Sequence, residues 1–367
     1  MNRKSGRPRW GPTAWLVILL ALSTAMAGSH PRAAPAGRPS APLFVGFHDG
    51  WDPNALHGLA QHLAGMDVFA PRWITVRGPT AKVVVEPDDG VPELIGGLAR
   101  RPLVFPTISN AHDEIWDQPA AEAVILNGPA QAAFAARLVE LARADDYAGY
   151  VLDFENLSPR AAAGYPALLA ALKTALAPAG KEVWVTATVA EDQPLAAFAS
   201  SADAVVLMAY DECWANATPG PIAGEDWVAA VLASRLQGLD PRRVVVALAS
   251  YGYDWPAHAA AKPVSVDQAR ALAARHGAKI RRDPASGDPW FAYAPASGPR
   301  HQVWFVDAQA FDAEARTAAA YGVRGVALWR LGLEDPGIWG LPRAFAPAAA
   351  RAAPSALPHP CDPFHLR

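Results

Sequence analysis

Two carboxylates, Asp153 and Glu155, interrupt the apolar run Tyr147-Ala-Gly-Tyr-Val-Leu-Asp-Phe-Glu155. Val151, Leu152 and Phe154 have the character of a buried parallel strand. Residues two apart on a strand face the same way, with Cα atoms about 6.5–7 Å apart. Buried carboxylates at a strand end are costly unless they are paired or used. A carboxyl beside a second, negatively charged carboxylate has its pKa pushed up, which is what a general acid working near neutral pH requires. The same pair also fits a strand-to-helix turn that caps the next helix, because D-x-E alone is a weak signal.

Such a pair needs a scaffold that brings several strand ends together. The 367 residues suffice for one barrel or two smaller domains. From Pro42 the pattern alternates strand and helix. Strands are expected at Leu43–Phe47, within Asp67–Val76, and at Leu103–Ile108, Tyr150–Phe154, Val183–Val189, Ala204–Tyr210, Val244–Ser250 and Val323–Trp329. Helical stretches rich in Ala and Leu lie between them, among them Ala130–Ala144, Tyr165–Leu176 and Trp227–Leu236. Eight strands alternating with helices predict an α/β fold, a (β/α)8 TIM barrel, over residues 42–345. The competing doubly wound sheet lacks a G-x-G-x-x-G after its first strand. Residues 256–322 are too long for one helix and read as a small α+β insertion between the seventh and eighth strands, placed to wall the cleft.

The ends of the chain read differently. Arg3, Lys4, Arg7 and Arg9 precede an apolar run from Ala14 to Ala27, about fourteen residues and short for a membrane span. Ala25-Met26-Ala27 is a small-x-small cleavage site, so residues 1–27 read as an export signal and the protein as periplasmic or secreted; an uncleaved anchor is the other reading. Residues 28–41 read as a linker and 346–367 as an Ala/Pro-rich tail. Export permits a disulfide, expected between the two cysteines, Cys213 and Cys361. The formal charge of −3 argues against a nucleic-acid partner.

In a barrel the functional residues gather where the strands end. Those ends offer Phe47, His48, Asp49 and Trp51; Ser109, Asn110 and Trp116; Asp153 and Glu155; Met208, Tyr210 and Asp211; Tyr251 and Trp255; and Trp329 with Arg330. Carboxylates, tyrosines and tryptophans together suit a carbohydrate site: acids for a glycosidic bond and rings for sugars. No cluster has metal-ligand spacing, and no cofactor is expected; His48 and His112 read as hydrogen-bonded loop histidines.

These residues resemble glycoside hydrolase family 18, the chitinase-like barrels. Leu152-Asp153-Phe154-Glu155 is similar to the end of the family's D-x-x-D-x-D-x-E strand, and Met208-Ala209-Tyr210-Asp211 to its M-x-Y-D strand. Trp329 falls where the family keeps a Trp at the cleft floor. One branch, with spore-cortex hydrolases and barrels fused to polysaccharide deacetylases and glycosyltransferases, is closer still. Its likeness rests on Trp51-Asp52-Pro53-Asn54, Asp67 to Trp73, Pro219-Gly220-Pro221-Ile222 and Leu328 to Gly332 with Glu334-Asp335-Pro336.

The resemblance implies substrate-assisted, retaining cleavage of a β-linked N-acetylglucosamine polymer: chitin, peptidoglycan or poly-N-acetylglucosamine. Glu155 would be the general acid, Asp153 would orient the acetamido group, and Tyr210 would hydrogen-bond its oxygen. Asp211 would contact the sugar or the departing group, and Trp329 would stack under the ring; Met208, Asn110, Trp51 and Tyr251, at the other strand ends, are further expected sugar contacts. The pattern departs at Ala148 and Val151, where the family has aspartates. Val151 cannot share a proton with Asp153, so the acidic limb of the pH–rate profile should differ. A non-catalytic sugar-binding protein on the same barrel is the alternative, and the retained Glu155 favours the enzyme. A scaffold partner in exopolysaccharide export is a third reading.

Overall fold

The computed structural model describes residues 42–50, 56, 58–112, 115–190, 192–342, 345 and 361. The expected signal, the linker, Trp51 with its Asp52–Asn54 motif, and the tail apart from Cys361 lie outside the described residues.

The barrel strands are β1 (Leu43–His48), β2 (Val68–Pro71) continuing as β3 (Ile74–Arg77), β5 (Leu103–Val104) continuing as β6 (Thr107–Ser109), β9 (Gly149–Asp153), β10 (Glu182–Thr188), β11 (Ala204–Met208), β12 (Val244–Ala249) and β18 (Gly325–Trp329). Each is parallel to the next: β1 to β2, β2 to β5, β3 to β6, then β6 to β9, β9 to β10, β10 to β11, β11 to β12 and β12 to β18. β18 pairs back to β1 with Leu43 opposite Gly325, so the sheet closes on itself as a TIM-type barrel. The second and third strands of the barrel are each broken: one at Arg72–Trp73, the other at Phe105–Pro106. Pro106 has no N–H to give to a ladder, which accounts for the second break. Past the first break the chain runs out as an antiparallel hairpin, β3 with β4 (Lys82–Val85), and after β6 a short antiparallel pair follows, β7 (Ala111–His112) with β8 (Ile115–Trp116).

Strand periodicity sorts the side chains. Val45 and Phe47, Val68 and Ala70, Ala204 and Val206, and Val245 and Ala247 fill the barrel's inner cluster with Phe105, Val151, Trp184 and Ala327. Their alternates, such as Phe44, Phe69, Leu152, Val205 and Val246, face the helices in the larger outer cluster. Gly149 is where strands approach too closely for a side chain: a Cβ there would lie 2.4 Å from the Glu182 carbonyl and 2.5 Å from the Phe105 ring.

The helix Pro159–Leu176 starts earlier than its expected Tyr165, because Ser158 caps it by accepting from the Ala161 N–H and Pro159 opens its first turn. Pro166 lies inside that helix. A second, five-stranded antiparallel sheet joins β13 (Gly252–Pro256), β14 (Lys262–Val264), β15 (Arg281–Arg282), β16 (Pro289–Tyr293) and β17 (His301–Phe305). The helix Val266–Arg275 packs on it through Val266, Ala269 and Ala273. This sheet begins at Gly252 rather than 256. The final part of the expected 256–322 span is the helix Ala308–Ala320, whose Phe311, Ala315 and Ala318 belong to the barrel's outer core. Cys213 and Cys361 form a disulfide with Cα atoms 5.1 Å apart.

Candidate active site

The inner face of the barrel carries apolar side chains as far as the ends of its strands and then turns polar. On β9 the inward sequence is Val151 then Asp153; on β10 it is Trp184 then Thr186; on β6 it is Thr107 then Ser109, the latter in register beside Asp153. At the end of β11 the same register delivers Met208 and, two residues past it, Tyr210; on β18 it delivers Trp329. Of these, Thr107, Ser109, Asp153, Thr186, Met208, Tyr210 and Trp329 line one cavity of about 560 Å³ that also takes in Phe47, His48, Asp49, Arg72 and Glu155. A second group from the first three strands continues it: Arg77 and Glu86 on the β3–β4 hairpin, Asp88, His112 and Trp116.

Asp153 accepts a hydrogen bond from the Thr186 hydroxyl at 2.7 Å. Burial pushes its carboxyl up, while Thr186 and the nearby Arg72 charge pull the other way. Arg72 is itself fixed by Asp49, with its Nε 2.9 Å and its Nη2 2.8 Å from the Asp49 carboxylate. Glu155 lies two residues past the end of β9, followed by Asn156 in the left-handed region at φ 53°. Its carboxyl is pushed up to about 8 by burial and by the negative charges of Asp153 and Asp211. A carboxyl with that pKa carries its proton at neutral pH and loses it readily to a developing alkoxide.

Tyr210 lies parallel to Trp329, ring centroids 6.0 Å apart, and Phe47 meets Trp329 edge-on at 5.8 Å. Burial holds the Tyr210 hydroxyl well above its ordinary pKa, so it remains a donor throughout the physiological range. The cavity thus presents a proton donor, a carboxylate, a phenol and an indole around one space.

Three expected sugar contacts behave otherwise. Asn110 is fully buried and does not line the cavity. Its side chain is turned to the backbone of Glu155, accepting from the Glu155 N–H at 3.0 Å and donating to the Glu155 carbonyl at 3.0 Å. Tyr251 is buried behind Tyr210 and donates to the Asp211 carboxylate, which also accepts from Tyr253 at 3.2 Å. Asp211 is outside the cavity lining and acts on Glu155 by its charge. Trp255 is buried in the insertion, and no residue of β13 to β17 lines the cavity, so the insertion does not wall it. Trp116 does line it.

Sequence reasoning gave no role to Thr186 or Arg72. Thr186 was detectable as the inward position two after Trp184; Arg72 was detectable only as a charge directly after a buried strand. His48 is bound in the cavity wall, its Nε2 2.9 Å from Asp88, whose same oxygen accepts from the Trp73 indole at 2.7 Å. Burial alone would raise the Asp88 carboxyl, but these two bonds hold it below its ordinary value. The Glu334-Asp335 motif is structural. Glu334 accepts from the Trp339 indole, and Asp335 pairs with Arg270 at 2.6 Å and accepts from the Ala308 N–H at 2.9 Å, fastening the insertion helix to the barrel.

The chain is similar to known proteins in sequence and in fold. The family model described as Glycosyl hydrolases family 18 matches residues 122–334. An uncharacterized glycosylase of Bacillus subtilis (strain 168), YvbX, is 26% identical over 246 residues, covering 63% of this chain and 72% of that protein. The cortical fragment-lytic enzyme of the same organism is 30% identical over 222 residues, covering 55% of this chain and 50% of that enzyme. The chain therefore spans half the length of the second relative. The crystal structure of a chitinase from Chromobacterium violaceum superposes with a TM-score of 0.75 at 26% identity, over 85% of this chain and 100% of that one.

Proposed function

Because this chain belongs to glycosyl hydrolases family 18, we propose that it is an exported enzyme that cleaves a β-linked N-acetylglucosamine polysaccharide with retention of configuration. The observation that carries this reading is Glu155: a carboxyl pushed up to about 8 and set in a cavity beside Asp153, Tyr210 and Trp329. Glu155 gives its proton to the glycosidic oxygen as the bond to the anomeric carbon breaks. The sugar's own acetamido oxygen attacks that carbon, so no ester to the protein forms. Asp153, oriented by Thr186, accepts from the acetamido N–H and stabilises the positive charge growing on it. Tyr210 donates to the acetamido oxygen, and Trp329 lies under the ring. Glu155, now ionised, takes a proton from the water that opens the intermediate.

Chitin, peptidoglycan and poly-N-acetylglucosamine all carry the 2-acetamido group this route needs. Export rests on the basic start, the apolar run and Ala25-Met26-Ala27, and it is consistent with the Cys213–Cys361 disulfide. The test is a product assay by mass spectrometry, in which the mature protein and Glu155→Gln are each given chitooligosaccharides, peptidoglycan and poly-N-acetylglucosamine. Cleavage of one polymer, lost in the variant, supports the hydrolase and names its substrate. Binding without cleavage by either protein overturns it in favour of a sugar-binding barrel.

A further inference from the structure

Asn110 does more than fill space behind Glu155. Its amide forms a closed pair with both backbone groups of Glu155, across 45 residues of sequence. The same Nδ2 reaches the Asp117 carbonyl at 3.3 Å, and the Asn110 carbonyl accepts from the Asp117 N–H at 2.7 Å. The Asp117 side chain continues the line. One carboxylate oxygen accepts from Ala120 N–H at 3.0 Å, capping the helix Gln118–Leu126; the other accepts from Gly78 N–H at 2.7 Å. Gly78 follows Arg77 at the turn of the β3–β4 hairpin, which lines the cavity through Arg77 and Glu86. His112, also in the lining, is 3.6 Å from Asp117.

We propose that Asn110 and Asp117 are positioning residues that join the Glu155 backbone to the hairpin rim of the cavity, so that sugar bound at the rim helps to set the acid and is expressed in kcat. This rests on Glu155 being the acid. Asn110 meets neither substrate nor reacting atoms, and no other side chain hydrogen-bonds the Glu155 backbone among the described residues. Glu155 lies outside its strand, beyond the ladder that would otherwise hold it. A reacting group released by about 1 Å loses on the order of 100-fold in rate. Binding energy gathered away from the bond being cut is the usual means of improving such placement.

The test compares Asn110→Ser, Asn110→Asp, Asp117→Asn and Glu155→Gln with the parent on short and long oligomers of the cleaved polymer. Asn110→Ser is expected to lower kcat by roughly 30–100-fold with KM changed less than about 3-fold. Asn110→Asp should show a similar loss and an alkaline limb moved to higher pH, since it sets a negative charge near Glu155. Asp117→Asn keeps the helix cap, and is expected to erase the kcat advantage of long oligomers while sparing short ones. Hydrogen exchange at the Glu155 amide supplies a readout that needs no turnover: slow in the parent, faster in Asn110→Ser, and slowed further by long oligomers only in the parent. An unprotected Glu155 amide in the parent, or an Asn110→Ser kcat within about 3-fold of the parent, overturns the inference. Full activity in Glu155→Gln instead overturns the assignment of the acid, and leaves the exchange experiment to decide the role of Asn110.

Discussion

Replacing Glu155 by glutamine should cost activity and add stability, and the second effect should depend on pH. The activity term is the loss of a positioned proton donor, about 100- to 10,000-fold for general acid catalysis. The stability term follows from burial and from the charges of Asp153 and Asp211, which take the carboxyl from 4.5 to about 8 on folding. A group raised in this way favours the folded state least when it is ionised. Its contribution is intact below about pH 4.5 and is lost as the pH rises through about 8. With 1.36 kcal/mol for each pH unit, ionised Glu155 costs the fold at most about 5 kcal/mol at pH 9 and under about 1 kcal/mol at pH 5. Screening and local relaxation leave roughly 2–4 kcal/mol of that difference. Glutamine has the same shape and no charge, so the variant should be more stable than the parent at pH 9 and nearly equal to it at pH 5. Urea unfolding of both proteins at the two pH values, alongside the product assay, measures both terms. A stability gap that is the same at pH 5 and pH 9 would refute the buried, charge-crowded environment from which the acid role is argued.

Val151→Asp restores a third carboxylate directly below Asp153, in a fully buried inner position. It should move the acidic limb of the pH–rate profile and destabilise the fold by several kcal/mol; an unmoved profile would show that Val151 has no bearing on the pair. Thr186→Val removes the 2.7 Å bond to Asp153. Asp153 should then titrate higher, the acidic limb should shift up, and kcat should fall about tenfold, as a pH series of initial rates would show. Glu212 and Asp288 are both pushed up to about 7, chiefly by burial. Their stabilising protonation is fully present below about pH 4 and is lost as pH rises through about 7, so thermal melts should fall across that range and level off above it, and Asp288→Asn should flatten that fall. Intact mass of the purified protein should be lower than the reduced value by the two hydrogens of the Cys213–Cys361 bond.

The alternation of side chains along each strand made much of the site legible without coordinates. Asp153, Met208, Tyr210 and Trp329 all sit on inward register positions, and a period of two is a local property that the order of residues decides alone. The eight strands and the cysteine pair were readable for similar reasons: apolar runs between breakers, and two cysteines in a chain expected to be exported. What lay beyond the sequence was every relation between strand ends that are remote along the chain. Asn110 looked like a sugar contact because it follows a strand end, yet its partner is the Glu155 backbone 45 residues away. Asp49 and Arg72 pair across 23 residues, and Thr186 meets Asp153 across 33. The insertion was expected to wall the cleft, but no residue of its sheet lines the cavity, and the charged β3–β4 hairpin lines it instead. Periodicity decides which way a side chain points from its own strand. Which loop it then meets depends on where the closed barrel brings the other strand ends, and that is a property of the tertiary fold alone.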